Sequence, residues 1–239
     1  MFNLLRRLVR NFRKIHHNPD GTVYYDGDCN PGLQSYFVEN RDSIFKCEVP
    51  KRYQTILKLV PGQNVIEIGS AEGTQLLLIA QSKQSATGYE KMDRQYATAL
   101  ELKQAWSKIG KSVESCEFVN DDIFSAMEKD KTIFDNTDTI LMSRVIYHLR
   151  DQIPQLMEMI ESSQVKYLML VGCPNREERW KNQGERGDAM GRYAFYATLE
   201  GMIELAESIN FRVTTKIQSE QDGTEPIMIA ERQSAKGTR

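Results

Sequence analysis

The chain has 239 residues, 27% of them charged and 40% apolar, with a formal net charge of −2. That length suits one α/β domain with an extension, and the apolar fraction is enough for a sizeable core. The near-neutral balance excludes a global basic field for nucleic acid, and no apolar stretch has the length of a membrane-spanning helix. Four cysteines (Cys29, Cys47, Cys116 and Cys173) are scattered, with no C-x-x-C pair and no Cys/His cluster at zinc spacing. Reduced thiols, no metal site and a cytoplasmic setting are therefore expected.

Phe2, Leu5, Leu8, Val9, Phe12 and Ile15 recur at helical spacing, with Arg6, Arg7, Arg10, Arg13 and Lys14 between them. Residues 1–17 are read as a basic amphipathic helix, which packs on the domain, docks on a protein partner or lies peripherally on an inner membrane surface, the remaining alternative being a disordered segment. Residues 18–60 are read as a lid. Turn signals crowd its first part, at Asn18-Pro19-Asp20-Gly21, Asp26-Gly27-Asp28 and Asn30-Pro31-Gly32, and they predict loops outside the main sheet. Val60-Pro61-Gly62-Gln63 opens the main domain, 61–232, and 233–239 is read as a flexible tail.

Within that domain β-branched runs alternate with helical segments. Strands are predicted at 64–68, 85–90, 116–119, 139–142 and 167–171, and helices at 74–82, 94–109, 123–128 and 153–161. In the long helix, Ala97, Leu100, Ala105 and Ile109 are the expected core contacts. A further helix at 199–208 leads to strands at 211–217 and 227–230, joined by a turn around Gln221-Asp222-Gly223-Thr224. The pattern predicts a three-layer α/β sandwich: a mostly parallel seven-stranded sheet ending in an antiparallel hairpin, with an N-terminal helical and loop lid.

The most informative stretch is Val65-Ile66-Glu67-Ile68-Gly69-Ser70-Ala71-Glu72-Gly73, a strand that turns through small residues into a helix. Such a turn offers backbone N–H groups and a helix N-terminus to a ligand. Gly69 lets the backbone approach that ligand, and Gly73 permits close packing of helix on strand. Ala71, standing where a glycine would be freer, is expected to hold φ below zero. The nicotinamide fingerprint G-x-G-x-x-G fails, because Ala71 and Thr74 occupy its second and third glycine positions. Glu67 and Glu72 would also repel a pyrophosphate, whereas a cationic ligand would not be repelled.

Glu67 through Gly73 resembles the first motif of the class I S-adenosylmethionine-dependent methyltransferases, an acid followed by G-x-G-x-G, with Ala71 for the middle glycine. The chain resembles that family from about Pro61 to Arg232. The resemblance implies that Glu67 sits near the methionine part of S-adenosylmethionine, with Gly69, Ser70, Ala71 and Gly73 shaping the turn beneath it. It implies that Glu90, seventeen residues after Gly73, accepts the ribose hydroxyls, with Lys91 and Met92 beside the adenine. It places Asp122, or Asp121 as the fallback, at the adenine amino group with Ile123 covering the ring. Ser143 and Arg144 fall at the cofactor end of the fourth strand.

Ser143-Arg144-Val145-Ile146-Tyr147-His148-Leu149 is similar to a segment of many small-molecule methyltransferases and of enzymes that carboxymethylate the tRNA wobble uridine. The Asn/Asp-Pro-Pro-Tyr motif of nucleobase N-methyltransferases is absent. His148 is the candidate catalytic base, its other reading being a ring that hydrogen-bonds the backbone and closes the pocket floor. On the acceptor side, Arg176, Arg179 and Arg192 can bind an anion, and Trp180 and Tyr193 can stack on a sugar or base. Interleaved acids leave a salt-bridged surface helix as the other reading of that segment. Tyr193-Ala194-Phe195-Tyr196 resembles a segment of methyltransferases acting on bacterial surface polysaccharides. The expectation is a methyl transfer to an oxygen of a small molecule or glycan. The alternatives are a tRNA-modifying transferase and a non-catalytic protein binding the cofactor or a partner.

Overall fold

The computed structural model describes residues 15–17, 23–25, 37, 39–48, 51–172, 195–218 and 225–233. Residues 1–14, 18–22, 26–36, 38, 49–50, 173–194 (with the five acceptor-side candidates), 219–224 and 234–239 lie outside that set.

Ile15–His17 (β1) pairs antiparallel with Val23–Tyr25 (β2) in a separate two-stranded sheet. The amphipathic pattern therefore overreached at its end: these three residues take strand pairing in place of a helical turn. Two helices, Arg41–Phe45 (α1) and Lys51–Leu59 (α2), follow within the 18–60 segment; its turn signals at 18–21, 26–28 and 30–32 fall outside the described residues.

The main domain continues as Asn64–Ile68 (β3), Thr74–Ala80 (α3), Ser85–Tyr89 (β4), Asp93–Lys108 (α4), Cys116–Val119 (β5) and Ile123–Lys129 (α5). Thr139–Ser143 (β6), Ile146–Leu149 (α6), Ile153–Ser162 (α7), Tyr167–Val171 (β7), Leu199–Ser208 (α8), Phe211–Ile217 (β8) and Ile227–Arg232 (β9) complete it. The sheet order is β5-β4-β3-β6-β7-β9-β8. All pairs are parallel from β5 to β7, and β9 runs antiparallel between β7 and β8.

Period-2 burial sorts the strand side chains onto two cores. Val65, Leu141, Met169 and Ile229 pack under α3 and α4, while Ile66, Ile68, Ile140, Met142 and Leu168 pack with residues of α5, α7 and α8. The phase predicted for α4 is corrected by the structure. Its buried side chains are Thr98, Ala99, Leu102 and Trp106; of the predicted contacts Ala105 packs against the core, whereas Ala97 is exposed and Leu100 and Ile109 are 38% and 52% exposed. Trp106 decides the phase. Its ring is fully buried, and its Nε1–H donates to the Ile44 carbonyl 2.7 Å away, so α1 covers this face. A Trp indole enters a core only with a partner for its N–H.

Arg232 closes the opposite face. Its guanidinium donates to the carbonyls of Val165 (2.6 Å), Ile160 (2.7 Å) and Glu161 (2.9 Å), and lies 4.7 Å from the centroid of the Phe211 ring. The last carbonyls of α7 have no helical partners, and a cation at a helix C-terminus also meets the negative end of its dipole. Arg232→Ala is expected to lower stability by about 2–4 kcal/mol, several charge-assisted bonds being lost together. Arg232→Lys should recover only part of it, because an ammonium cannot reproduce the planar fork; denaturant unfolding monitored by circular dichroism measures both.

At the amino edge of the sheet, Asp138 accepts from Gln63 N–H (2.9 Å), Asn64 N–H (3.0 Å) and Lys166 Nζ (2.8 Å). The Lys166 bond, with the backbone donors, pulls its carboxyl pKa down to about 2. A carboxylate depressed in the folded state contributes stability above its unfolded pKa near 4, and that contribution disappears as pH falls through about 2. Asp138→Asn should therefore flatten the loss of melting temperature between roughly pH 4.5 and 2.5, a difference read from paired thermal melts.

Candidate functional site

Four strands of this sheet end at one edge in register. Ile68 lies beside Tyr89 and Met142, and Tyr89 beside Val119. The segments that follow (Gly69–Gly73, Glu90–Met92, Asn120–Ile123 and Ser143–His148) therefore share the carboxyl edge. The chain moves outward from β3 to β5 and then returns to β6 on the other side of β3. That reversal is the topological switch point where open α/β sheets bind ligands. The two sides touch there: a Cβ on Gly69 would stand 2.6 Å from Val145 Cγ2.

The turn itself is tightly built. The N–H groups of Gly69 and Ser70 both donate to the Tyr89 carbonyl (2.9 and 3.2 Å), Ala71 N–H to Glu90 Oε2 (2.9 Å), and Gly73 N–H to the Ser70 carbonyl (2.9 Å). The expectation of bare N–H groups facing a ligand is thus corrected: four donors of the turn are occupied within the protein. A pyrophosphate cradle requires such donors, so the turn is shaped for a ligand that does not depend on them. Gly73 has φ +74°, and a Cβ there would lie 2.4 Å from Phe118 Cζ and 2.9 Å from Ala99 Cβ, which accounts for the glycine by close packing.

Ala71 overturns the steric expectation. Its φ is +49°, in the left-handed region, at a cost of about 1–2 kcal/mol for a residue with a Cβ. The compensating feature is the Glu90 carboxylate, buried at 6% exposure, which bridges Ala71 N–H and Met92 N–H (2.9 Å each). Burial raises the Glu90 pKa, with the Met92 and Ala71 N–H groups and Lys91 opposing the rise.

Glu67 is buried and accepts from Gln75 Nε2 at 2.6 Å. Gln75 Oε1 and Ser70 Oγ, both buried, have no hydrogen-bond partner among the described residues. Gln75 Oε1 is an acceptor only, so beside the Glu67 carboxylate it calls for a donor, such as an ammonium or hydroxyl of a ligand. Gln75 carried no motif signal; its place one residue inside the helix, on the Glu67 side, was the available clue.

Asp122 caps α5, with Oδ1 accepting Phe124 N–H at 2.9 Å. Asp121 is turned to the Asp122 N–H and to Lys129 on α5. Ile123 is buried, Met92 partly exposed, and Lys91 exposed. Arg144, at φ +57°, ion-pairs with the buried Glu225, a partner the sequence did not indicate. His148, on α6, reaches solvent, yet the surrounding protein mass lowers its pKa, with Lys91 and Arg150 adding to the effect.

No family model matches the chain, and no curated protein matches its sequence. Solved structures do. An O-methyltransferase from Bacillus cereus in complex with SAH has a TM-score of 0.57 at 12% identity, over 86% of this chain and 94% of its own. The N-methyltransferase NodS from Bradyrhizobium japonicum WM9 gives 0.54 at 18% identity, over 80% and 99%. Magnesium protoporphyrin IX methyltransferase from Synechocystis PCC 6803, with bound SAH, gives 0.53 at 13% identity, over 85% and 90%.

The chain has the class I methyltransferase fold. In the class I fold of this chain, Glu67, Glu90 and Asp122 stand at the ends of β3, β4 and β5, one acid per strand. Burial pushes the Cys116 thiol up to about 12. Among the described residues no group of His, Cys, Asp and Glu is arranged to hold a metal ion, and no helix is long and apolar enough to cross a membrane.

Proposed function

We propose that this chain is an S-adenosylmethionine-dependent methyltransferase that moves a methyl group to an oxygen of a small molecule or glycan. The observation carrying this reading is the row of acids at three successive strand ends, beside a turn in which the N–H groups of Gly69, Ser70, Ala71 and Gly73 are already occupied. Such a site suits a cationic, hydroxyl-rich ligand and disfavours a pyrophosphate. The residues fit the cofactor: Glu67 with Gln75 Oε1 for its ammonium, Glu90 for the ribose hydroxyls, Asp122 for the adenine amino group, and Met92 and Ile123 for the ring faces. When bound, the cofactor supplies an electrophilic methyl group on a positively charged sulfur. Lys91, Ser70, Ser143 and Arg144 complete the rim of that site.

His148 then serves as the base. Its pKa is lowered by burial, which favours the neutral imidazole, able to take the proton of an acceptor hydroxyl. The acceptor itself is assigned to Arg176, Arg179, Trp180, Arg192 and Tyr193 on the connection after β7. The absence of Asn/Asp-Pro-Pro-Tyr after β6 supports oxygen over a nucleobase nitrogen as the acceptor atom, and solved O-methyltransferases are among the similar folds.

Calorimetry with S-adenosylhomocysteine tests the cofactor, and a radiolabelled methyl-transfer screen over glycans, hydroxylated metabolites and tRNA tests the acceptor. Absence of binding overturns the reading, and transfer to tRNA alone replaces its acceptor. With a substrate in hand, His148→Ala should lower kcat by about a hundredfold or more while leaving cofactor affinity within about twofold. It should also abolish an acid limb of the kcat–pH profile lying below pH 6.5, the side to which the shift moves it; an unchanged kcat returns His148 to a structural role.

A further inference from the structure

Glu90 has two partners in the protein before any ligand is considered. Its Oε2 accepts Ala71 N–H and its Oε1 accepts Met92 N–H, each at 2.9 Å. One donor lies in the turn after β3; the other is the residue that caps α4. Ala71 is a residue with a Cβ held at φ +49°, a conformation a glycine would occupy without strain. The neighbouring N–H groups of Gly69 and Ser70 are fixed by the Tyr89 carbonyl, so Ala71 N–H is the point where the turn is held by a side chain.

We infer that Glu90 is a positioning residue for the Gly69–Gly73 turn, its carboxylate holding Ala71 in the left-handed conformation and tying the turn to the start of α4. This rests on the cofactor reading only for its effect on affinity; the clamp itself is a property of the ligand-free protein. Each carboxylate oxygen uses one lone pair on a backbone N–H and keeps another. The same group can therefore set the turn and accept a hydroxyl. Replacing Ala71 by glycine would relieve the strain that the clamp opposes, so the importance of Glu90 for the turn depends on the residue standing there.

The test is a cycle of Glu90→Gln, Ala71→Gly and the double variant in the full-length chain, read by thermal melting and by calorimetry with S-adenosylhomocysteine. Glutamine keeps the shape and any single-acceptor contact but removes the charge and one of the two N–H acceptors. The clamp predicts that Glu90→Gln lowers the melting temperature less in the Ala71→Gly background than in the natural one. It also predicts that the loss of affinity caused by Glu90→Gln is at least about fivefold smaller when Ala71→Gly is present. Equal losses in both backgrounds overturn the inference and leave Glu90 as a ligand contact alone. Should Glu90→Gln fail to fold, rescue by Ala71→Gly supports the clamp, and failure of the double variant as well overturns it. If the natural chain does not bind S-adenosylhomocysteine, the cofactor reading fails while the melting cycle still decides the clamp.

Discussion

Glu90→Ala is expected to weaken S-adenosylhomocysteine binding on the order of a hundredfold, the largest effect of any single side chain at the carboxyl edge. Two hydrogen bonds from ribose hydroxyls to a carboxylate are worth about 3 kcal/mol together when the group is shielded from water, and about 1.4 kcal/mol is a factor of ten in affinity. Glu90 is shielded, being 6% exposed. Its removal also leaves the Ala71 and Met92 N–H groups without their acceptor. Isothermal calorimetry at fixed pH measures the change. An affinity within about threefold of the natural chain would exclude Glu90 from the ribose site.

Gly73→Ala should destabilise the fold by about 3 kcal/mol or more, combining overpacking with left-handed strain. The added Cβ meets two atoms of the Phe118 ring, at 2.4 and 2.6 Å, and Ala99 Cβ at 2.9 Å. Neither neighbour yields easily: Phe118 is held in the middle of β5, and Ala99 sits on the buried face of α4. Denaturant unfolding should show a lower midpoint with an unchanged slope. A companion Phe118→Leu substitution, which vacates part of the ring volume, should recover part of the loss.

The strand runs were readable because β-branched and apolar residues alternate there with turn residues, and Asn64–Ile68, Cys116–Val119, Tyr167–Val171 and Phe211–Ile217 begin and end where those runs do. The α4 phase was not, because that helix carries two apolar stripes. The one facing inward is selected by Trp106 and its acceptor on α1, a helix hidden among polar residues. Ala71 misled for a related reason. Backbone sterics favour negative φ, and the opposing hydrogen bond comes from a side chain nineteen positions away. The acids at the strand ends could be found by spacing together with the family resemblance, since parallel strands with helical crossovers deliver them to one edge. Gln75 and Glu225 could not, because their significance lies in which buried atoms face them.

The position of β9 has a consequence for how the chain is made. It is the last of the described strands in chain order, yet it is an interior one, seated between β7 and β8. During synthesis β7 therefore keeps an unpaired edge, with Leu168 and Leu170 on one face and Met169 and Val171 on the other, until residues 227–232 emerge. β8 is made earlier but cannot close the gap, since its hydrogen-bonding partner is β9 itself. An open, apolar strand edge is a template for association with another chain. The sheet thus becomes complete in one late event, and the interval before it is when the nascent protein most needs shielding from its neighbours.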